Sequence, residues 1–225
     1  MHGAVGTALK NPPMFSDLVI RTDEARRAFE NHPVVLDAVA NGMPLARYRK
    51  FLLELYHVVW HFNPVSAAAA SRIADTHRQV RYYLYDHMQD ESGHEEWVLN
   101  DLDAIGVTAQ DTRAWRPGVD TLALCGYNYW AADRGHPCSV LGMMYVLEVI
   151  ASVYAGPFAT AIKESLLLEG ERGTSFISSH ATMDAEHMAS LRTVLNTLYD
   201  EASRDAIVES TLVNFGLFTR VFESV

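Results

Sequence analysis

His180, Asp184 and His187 stand at i, i+4 and i+7, and at about 100° per residue an α-helix puts all three on one stripe. Two imidazoles and a carboxylate, with Ala181, Ala185 and Met188 around them, make a metal-binding face and are unusual side chains for a plain core. Taken alone, the stripe is better explained as a polar helix surface. Three other stretches supply partners for it.

Glu91 and His94, within Asp90-Glu91-Ser92-Gly93-His94, form an i, i+3 pair, and His87 sits one turn earlier on the same stripe. A carboxylate can bridge or chelate an ion while the imidazole supplies a neutral nitrogen. Gly93 inside a helix costs about 1 kcal/mol against Ala and points to a close approach. Glu148 lies alone in the apolar run Met143 to Ala151. It cannot sit ionised in a core without an ion pair, a metal or a raised pKa. Glu54 is a similar carboxylate, with His57 and His61 at i+3 and i+7. These two histidines read as pocket wall or satisfied core groups rather than ligands. The order Glu54, Glu91-x-x-His94, Glu148, Asp184-x-x-His187 matches the recipe of di-iron and di-manganese bundles: a carboxylate from each of two helices and a carboxylate-x-x-His from each of two others. We read it as a two-metal site.

The elements that must position these residues are helices. Apolar spacing and end signals predict short helices near 22–31 and 34–40. A long one follows from Pro44 to about Thr76, kinked at Asn63-Pro64, and another over 79–105 closed by Gly106. Further helices are predicted over 119–132 and 137–165, then over a segment carrying the 180–187 stripe to about Asp200, and from Ser203 to the end. No alternating strand pattern, repeat or low-complexity segment is present. The fold class is all-α, a bundle of about seven helices forming one domain over 22–225, preceded by a loosely packed arm over 1–21.

The chain has 225 residues, 49% of them hydrophobic, and a formal net charge of -10. Acidity argues against nucleic acid or an anionic membrane surface as partner. Two cysteines, Cys125 and Cys138, suit a reducing compartment, and the N-terminus lacks the apolar core of a signal peptide. A soluble cytoplasmic protein is expected. Between Arg134 and Lys163 the only formally charged residue is Glu148, but Gly156-Pro157 interrupts the run, so a helix buried inside the bundle is expected rather than a membrane span.

Over roughly residues 30–220 the chain resembles the haem-oxygenase-like di-metal oxidases and oxygenases, relatives of the TenA and PqqC proteins. The likeness rests on His180-x-x-x-Asp184-x-x-His187, on Asp90-Glu91-x-Gly93-His94 and on Tyr145-Val146-Leu147-Glu148. It implies a haem-oxygenase-like helical bundle and a non-haem enzyme with two Fe(II) ions, or a Mn/Fe pair. Dioxygen would be the co-substrate in oxidising a small organic molecule: an amino acid, an amine or a fatty-acid-like carboxylate. By motif match, Glu54, Glu91, His94, Glu148, His180, Asp184 and His187 are the implied ligands, and Glu91, Glu148 and Asp184 the implied catalytic groups. Tyr56, His57, Trp60 and Tyr145 are expected as cavity wall, and Arg72, Arg81 or Lys163 as anchors for a substrate carboxylate. A homodimer is expected. The alternative is a TenA-like small-molecule-binding or thiamine-related protein without redox activity. However, TenA thiaminases place their nucleophilic cysteine where this chain has Gly142, and Cys138 lies a turn too early.

Overall fold

The computed structural model describes residues 12–225, without the side chains of residues 182–185. Prolines and capping side chains set where its helices begin. Pro33 opens the first turn of one helix and Pro44 immediately precedes another, positions where the missing N–H costs nothing. Thr108 accepts the N–H of Asp111, and Asp200 that of Ser203, each at the start of a helix. In chain order the α-helices are α1 (Met14–Arg21), α2 (Asp23–Glu30), α3 (Pro33–Asn41), α4 (Leu45–Arg72), α5 (Arg78–Asp90) and α6 (His94–Ala104). They continue with α7 (Ala109–Ala114), α8 (Val119–Asp133), α9 (Val140–Ile150), α10 (Gly156–Leu166), α11 (Ser175–Leu195) and α12 (Glu201–Ser224).

The fold is all-α as expected, but the described residues form twelve α-helices rather than about seven, because predicted elements divide. The element over 79–105 breaks at Gly93, whose φ of +92° is left-handed. L side chains avoid that conformation, and this is why glycine stands there. The run over 137–165 is α9 and α10 joined by a π-helical segment, Ala151–Ala155. Pro157 has no N–H for the carbonyl one turn back and its ring crowds that carbonyl. The wider π turn just before it lets the helix run on. Likewise α4 continues through Pro64. The second half of the expected loose arm is helix α1, whose Met14 and Leu18 are buried; Arg204 of α12 ties it down through the Pro12 carbonyl and Asp17. Residues 1–11 lie outside the described residues.

Helix α4 packs against α5, α6 and α8, while α12 packs against α8 and α9. Helix α11 covers α9, the π segment, α5 and α6, and so closes the bundle over the centre described below. Pro137–Leu166 is long and apolar enough to cross a membrane, but 67% of its most apolar window is buried inside the bundle; it is a core helix here, as expected. Where α9 meets α12, a Cβ on Gly142 would lie 2.5 Å from the Ile207 carbonyl oxygen and 2.9 Å from the Thr211 nitrogen. Gly142→Ala is therefore expected to lower stability by about 1–3 kcal/mol, read as a shift of the denaturant midpoint.

Candidate metal centre

Four helices converge on one cluster. The last turn of α5 presents His87, and Glu91 is the residue just past its end. The turn at Gly93 then restarts the chain so that His94 opens α6. Helix α9 adds Glu148, and α11 adds His180 and His187. Glu91 is the hub. Its Oε2 accepts a hydrogen bond from His94 Nδ1 at 2.7 Å and lies 3.8 Å from His180 Nε2; its Oε1 lies 3.7 Å from His187 Nδ1 and 4.0 Å from His87 Nε2. Glu148 Oε1 sits 3.4 Å from His187 Nδ1 and 3.6 Å from His87 Nε2.

Two donor groups share the hub. His87, Glu91 and His187 can each offer one atom within 4.8 Å of the others, and so can Glu91, His94 and His180. The second Glu148 oxygen is buried with no hydrogen-bond partner among the described residues, and no Lys or Arg pairs with either glutamate there. Burying an oxygen like this is costly unless a cation takes it. Neutral nitrogens and carboxylates are the donors that iron, manganese and zinc accept. These residues fit a two-ion centre.

Electrostatics agree. Burial works to raise the Glu91 carboxyl, but the imidazoles of His180 and His94 outweigh it and hold the group well below the usual carboxylate range. Burial lowers His87, against the pull of Glu148 and Glu91, so its neutral form, the one a metal needs, is favoured. His180 Nδ1 donates to the Phe176 carbonyl at 2.8 Å. This fixes the ring and turns Nε2 toward Glu91, as outer partners of metal-binding histidines do.

The first turn of α11 is held from α6. Asp101, 1% exposed, accepts from the N–H and hydroxyl of Ser175 on one oxygen and from Phe176 N–H on the other, all at 2.8 Å. Asp101→Ala is expected to leave buried donors unpaired, cost about 2–3 kcal/mol in thermal denaturation, and weaken metal uptake by displacing His180.

Of the residues singled out in the sequence, Glu91, His94, Glu148, His180 and His187 are brought together. The Asp184 side chain lies outside the described residues. Glu54 is not in the cluster. Its carboxylate accepts from Gly118 N–H at 2.9 Å and from Trp115 Nε1 at 3.1 Å. It is occupied as the cap of α8, because a buried carboxylate finds unpaired backbone donors at a helix start as readily as it finds a metal. His87, 3% exposed, is the residue the sequence reading left out of the set. Its signal was its place on the Glu91 stripe.

The expected wall also differs. Trp60 is half-exposed, His57 Nε2 meets the Trp115 carbonyl, and Tyr145 packs on Phe15. The wall consists instead of aliphatic and phenylalanine side chains, with Tyr154 among them. They enclose about 980 Å³ of non-atom space, solvent at its mouth included, and among the described residues only His87, Glu91, Glu148 and His180 bring charge or imidazole to it. Arg72 is spent on the Ala132 and Gly135 carbonyls, Arg81 on that of Ile73, and Lys163 on Glu171. None of the three lines the cavity.

Residues 49–213 match the sequence profile of a family described as iron-containing redox enzymes. No curated protein sequence matches the chain. Among solved structures, a domain of unknown function with a heme oxygenase-like fold from Shewanella denitrificans superposes with a TM-score of 0.83 at 22% identity, over 95% of this chain and 92% of that one. A TenA homologue from Pseudomonas syringae gives 0.80 at 14% identity, over 99% and 96%. The heme-bound heme oxygenase-1 of the cyanobacterium Synechocystis gives 0.77 at 15%, over 95% and 92%. At these identities the likeness establishes the haem-oxygenase-like fold.

Proposed function

Given that the chain belongs to the iron-containing redox enzyme family, we propose that it is a non-haem di-iron oxidase or oxygenase, using dioxygen to oxidise a small organic substrate. The observation that carries this reading is the pair of donor groups sharing Glu91 beside an apolar cavity. In this reading Glu91, His94 and His180 hold one ion, and His87, Glu91 and His187 the other, with Glu148 beside the second. Asp184 joins them on the grounds of its i+4 and i−3 spacing from the two histidines. Iron bound there would supply the electrons for dioxygen reduction.

The chain's own part is positional. Glu91 ties the two halves together. The Phe176 carbonyl orients His180, and Asp101 fixes the turn from which His180 projects. The apolar wall keeps bulk water from the reacting region. A TenA-like thiaminase has less support: the nucleophile position is Gly142, where any Cβ collides with α12.

The test is anaerobic Fe(II) titration of the metal-free chain with the metal counted, followed by air-saturated buffer and optical monitoring. About two irons per chain with an oxo-bridged absorption are expected, falling to about one iron without that absorption in His187→Ala. Absence of tight iron binding, or binding indifferent to His187→Ala and Glu148→Ala, would sink the reading.

A further inference from the structure

A second, smaller chamber lies behind the cavity wall. It sits where α4, α8, α9 and α12 meet and holds about 300 Å³ of non-atom space, solvent at its mouth included, against about 980 Å³ for the larger one. The two share Val58 and Phe62 of α4 and Leu147 of α9, so these three side chains form the partition between them. The partition stands at the metal cluster. The Phe62 ring is 5.6 Å from that of His87, and Leu147 directly precedes Glu148, whose Oε1 is 3.6 Å from His87 Nε2. Beyond the partition, the partly exposed residues lining the chamber are His61 and Cys125, which puts its mouth between α4 and α8.

Four polar side chains line the chamber, and each is engaged elsewhere. Asn128 Nδ2 donates to the Leu124 carbonyl at 2.9 Å and to Asn214 Oδ1 at 2.8 Å. Asn214 Nδ2 donates in turn to Asn128 Oδ1 at 3.1 Å and to the Ser210 carbonyl at 2.8 Å. An amide nitrogen carries two protons, so neither carboxamide has a donor left for a guest. His61 Nδ1 meets the Tyr129 hydroxyl at 3.0 Å, and the Cys125 thiol faces the His57 carbonyl at 4.0 Å. Burial favours the uncharged form of both, lowering the imidazole and pushing the thiol up to about 12. Among the described residues no Asp, Glu, Lys or Arg lines the chamber. A buried water needs about three hydrogen-bond partners, whereas a compact apolar guest such as xenon needs none.

Building on the di-iron reading, we propose that this chamber is a dioxygen site and the route by which dioxygen reaches the metal cluster. Dioxygen is diatomic and apolar, and it makes no demand for hydrogen bonds. It enters between α4 and α8 and passes the partition of Val58, Phe62 and Leu147 beside His87 and Glu148. The larger cavity is left to the organic substrate, so a bound substrate does not shut dioxygen out.

Xenon is the first probe, because it is compact and apolar and binds without redox chemistry. Crystals of the chain held under xenon pressure are expected to show a xenon peak in the chamber, lost in Leu124→Trp and kept in Leu124→Ala. Leu124 lines the chamber and not the larger cavity, so these variants leave the substrate's space alone. The second measurement is stopped-flow mixing of the anaerobically Fe(II)-loaded chain, with iron counted, against oxygenated buffer. The second-order rate constant is expected to fall about tenfold in Leu124→Trp, equivalent to about 1.4 kcal/mol of added barrier, and to hold or rise in Leu124→Ala. Leu124→Phe narrows the chamber less and should fall between, which keeps the test decisive should the tryptophan variant fail to fold. A full iron count in each variant separates a blocked route from a damaged centre. No iron uptake by the parent chain, or bound iron that dioxygen does not oxidise, would overturn the di-iron reading together with this proposal. Iron bound and oxidised, but with no xenon in the chamber or with one rate in all the variants, would overturn this proposal alone.

Discussion

Glu91→Ala is expected to abolish metal binding in both halves of the centre, whereas His94→Ala and His87→Ala each weaken one half. Glu91 is common to the two donor groups, and each of its oxygens faces two imidazoles. Outer partners alone change metal affinity by about 10–100-fold, so loss of a shared ligand should exceed that in both halves. The measurement is iron per chain after anaerobic loading and desalting: near two for the parent, near one for each histidine variant, and near zero for Glu91→Ala. Glu91→Gln keeps the side chain's size and should fail similarly. If Glu91→Ala retained two irons, the shared-carboxylate arrangement would be wrong.

Glu54→Ala makes the opposite pairing of effects: a large loss of stability with the iron count unchanged. Glu54 is 1% exposed and satisfies the Gly118 N–H at the start of α8 as well as the Trp115 indole. Removing it strands both donors in the interior, at a cost of about 3 kcal/mol. For a chain of this size that corresponds to a fall of about 6–12 °C in Tm. Calorimetry and metal analysis on the same sample decide it. A fall in bound iron with little change in Tm would restore Glu54 to the ligand set.

The two variants also mark how far the sequence could be read. His180 and His187 were visible because one helix carries them at fixed angular spacing, which no tertiary packing can alter. Glu148 was visible because a lone carboxylate in an apolar run must find a partner. Glu54 gave the same signal with a different partner, a backbone amide 64 residues further along the chain, and no local pattern distinguishes an amide from a metal. Glu91-x-x-His94 was recognised as a unit for a geometry it does not have. The two residues straddle a chain break at Gly93 rather than sharing one helix. His87 shows in the sequence only as a neighbour on the Glu91 stripe. Its burial against Glu148, on a helix far away in sequence, is what singles it out. The all-α class followed from periodicity, but the division into shorter helices did not, since a left-handed glycine and a π turn reflect tertiary demands.

Two helices of this bundle begin on carboxylates borrowed from elsewhere: α8 on Glu54 of α4, and α11 on Asp101 of α6. A local cap forms as soon as its helix does; these form only when distant segments have met. Neither helix has a complete first turn as an isolated segment, and neither carboxylate has its partners until the helix arrives. Partly folded forms therefore pay twice, in unpaired amides and in stranded charge, which disfavours them against both the native and the unfolded chain. Folding of the bundle and creation of the centre on α11 are thereby coupled, since the turn that carries His180 is completed by Asp101 of α6.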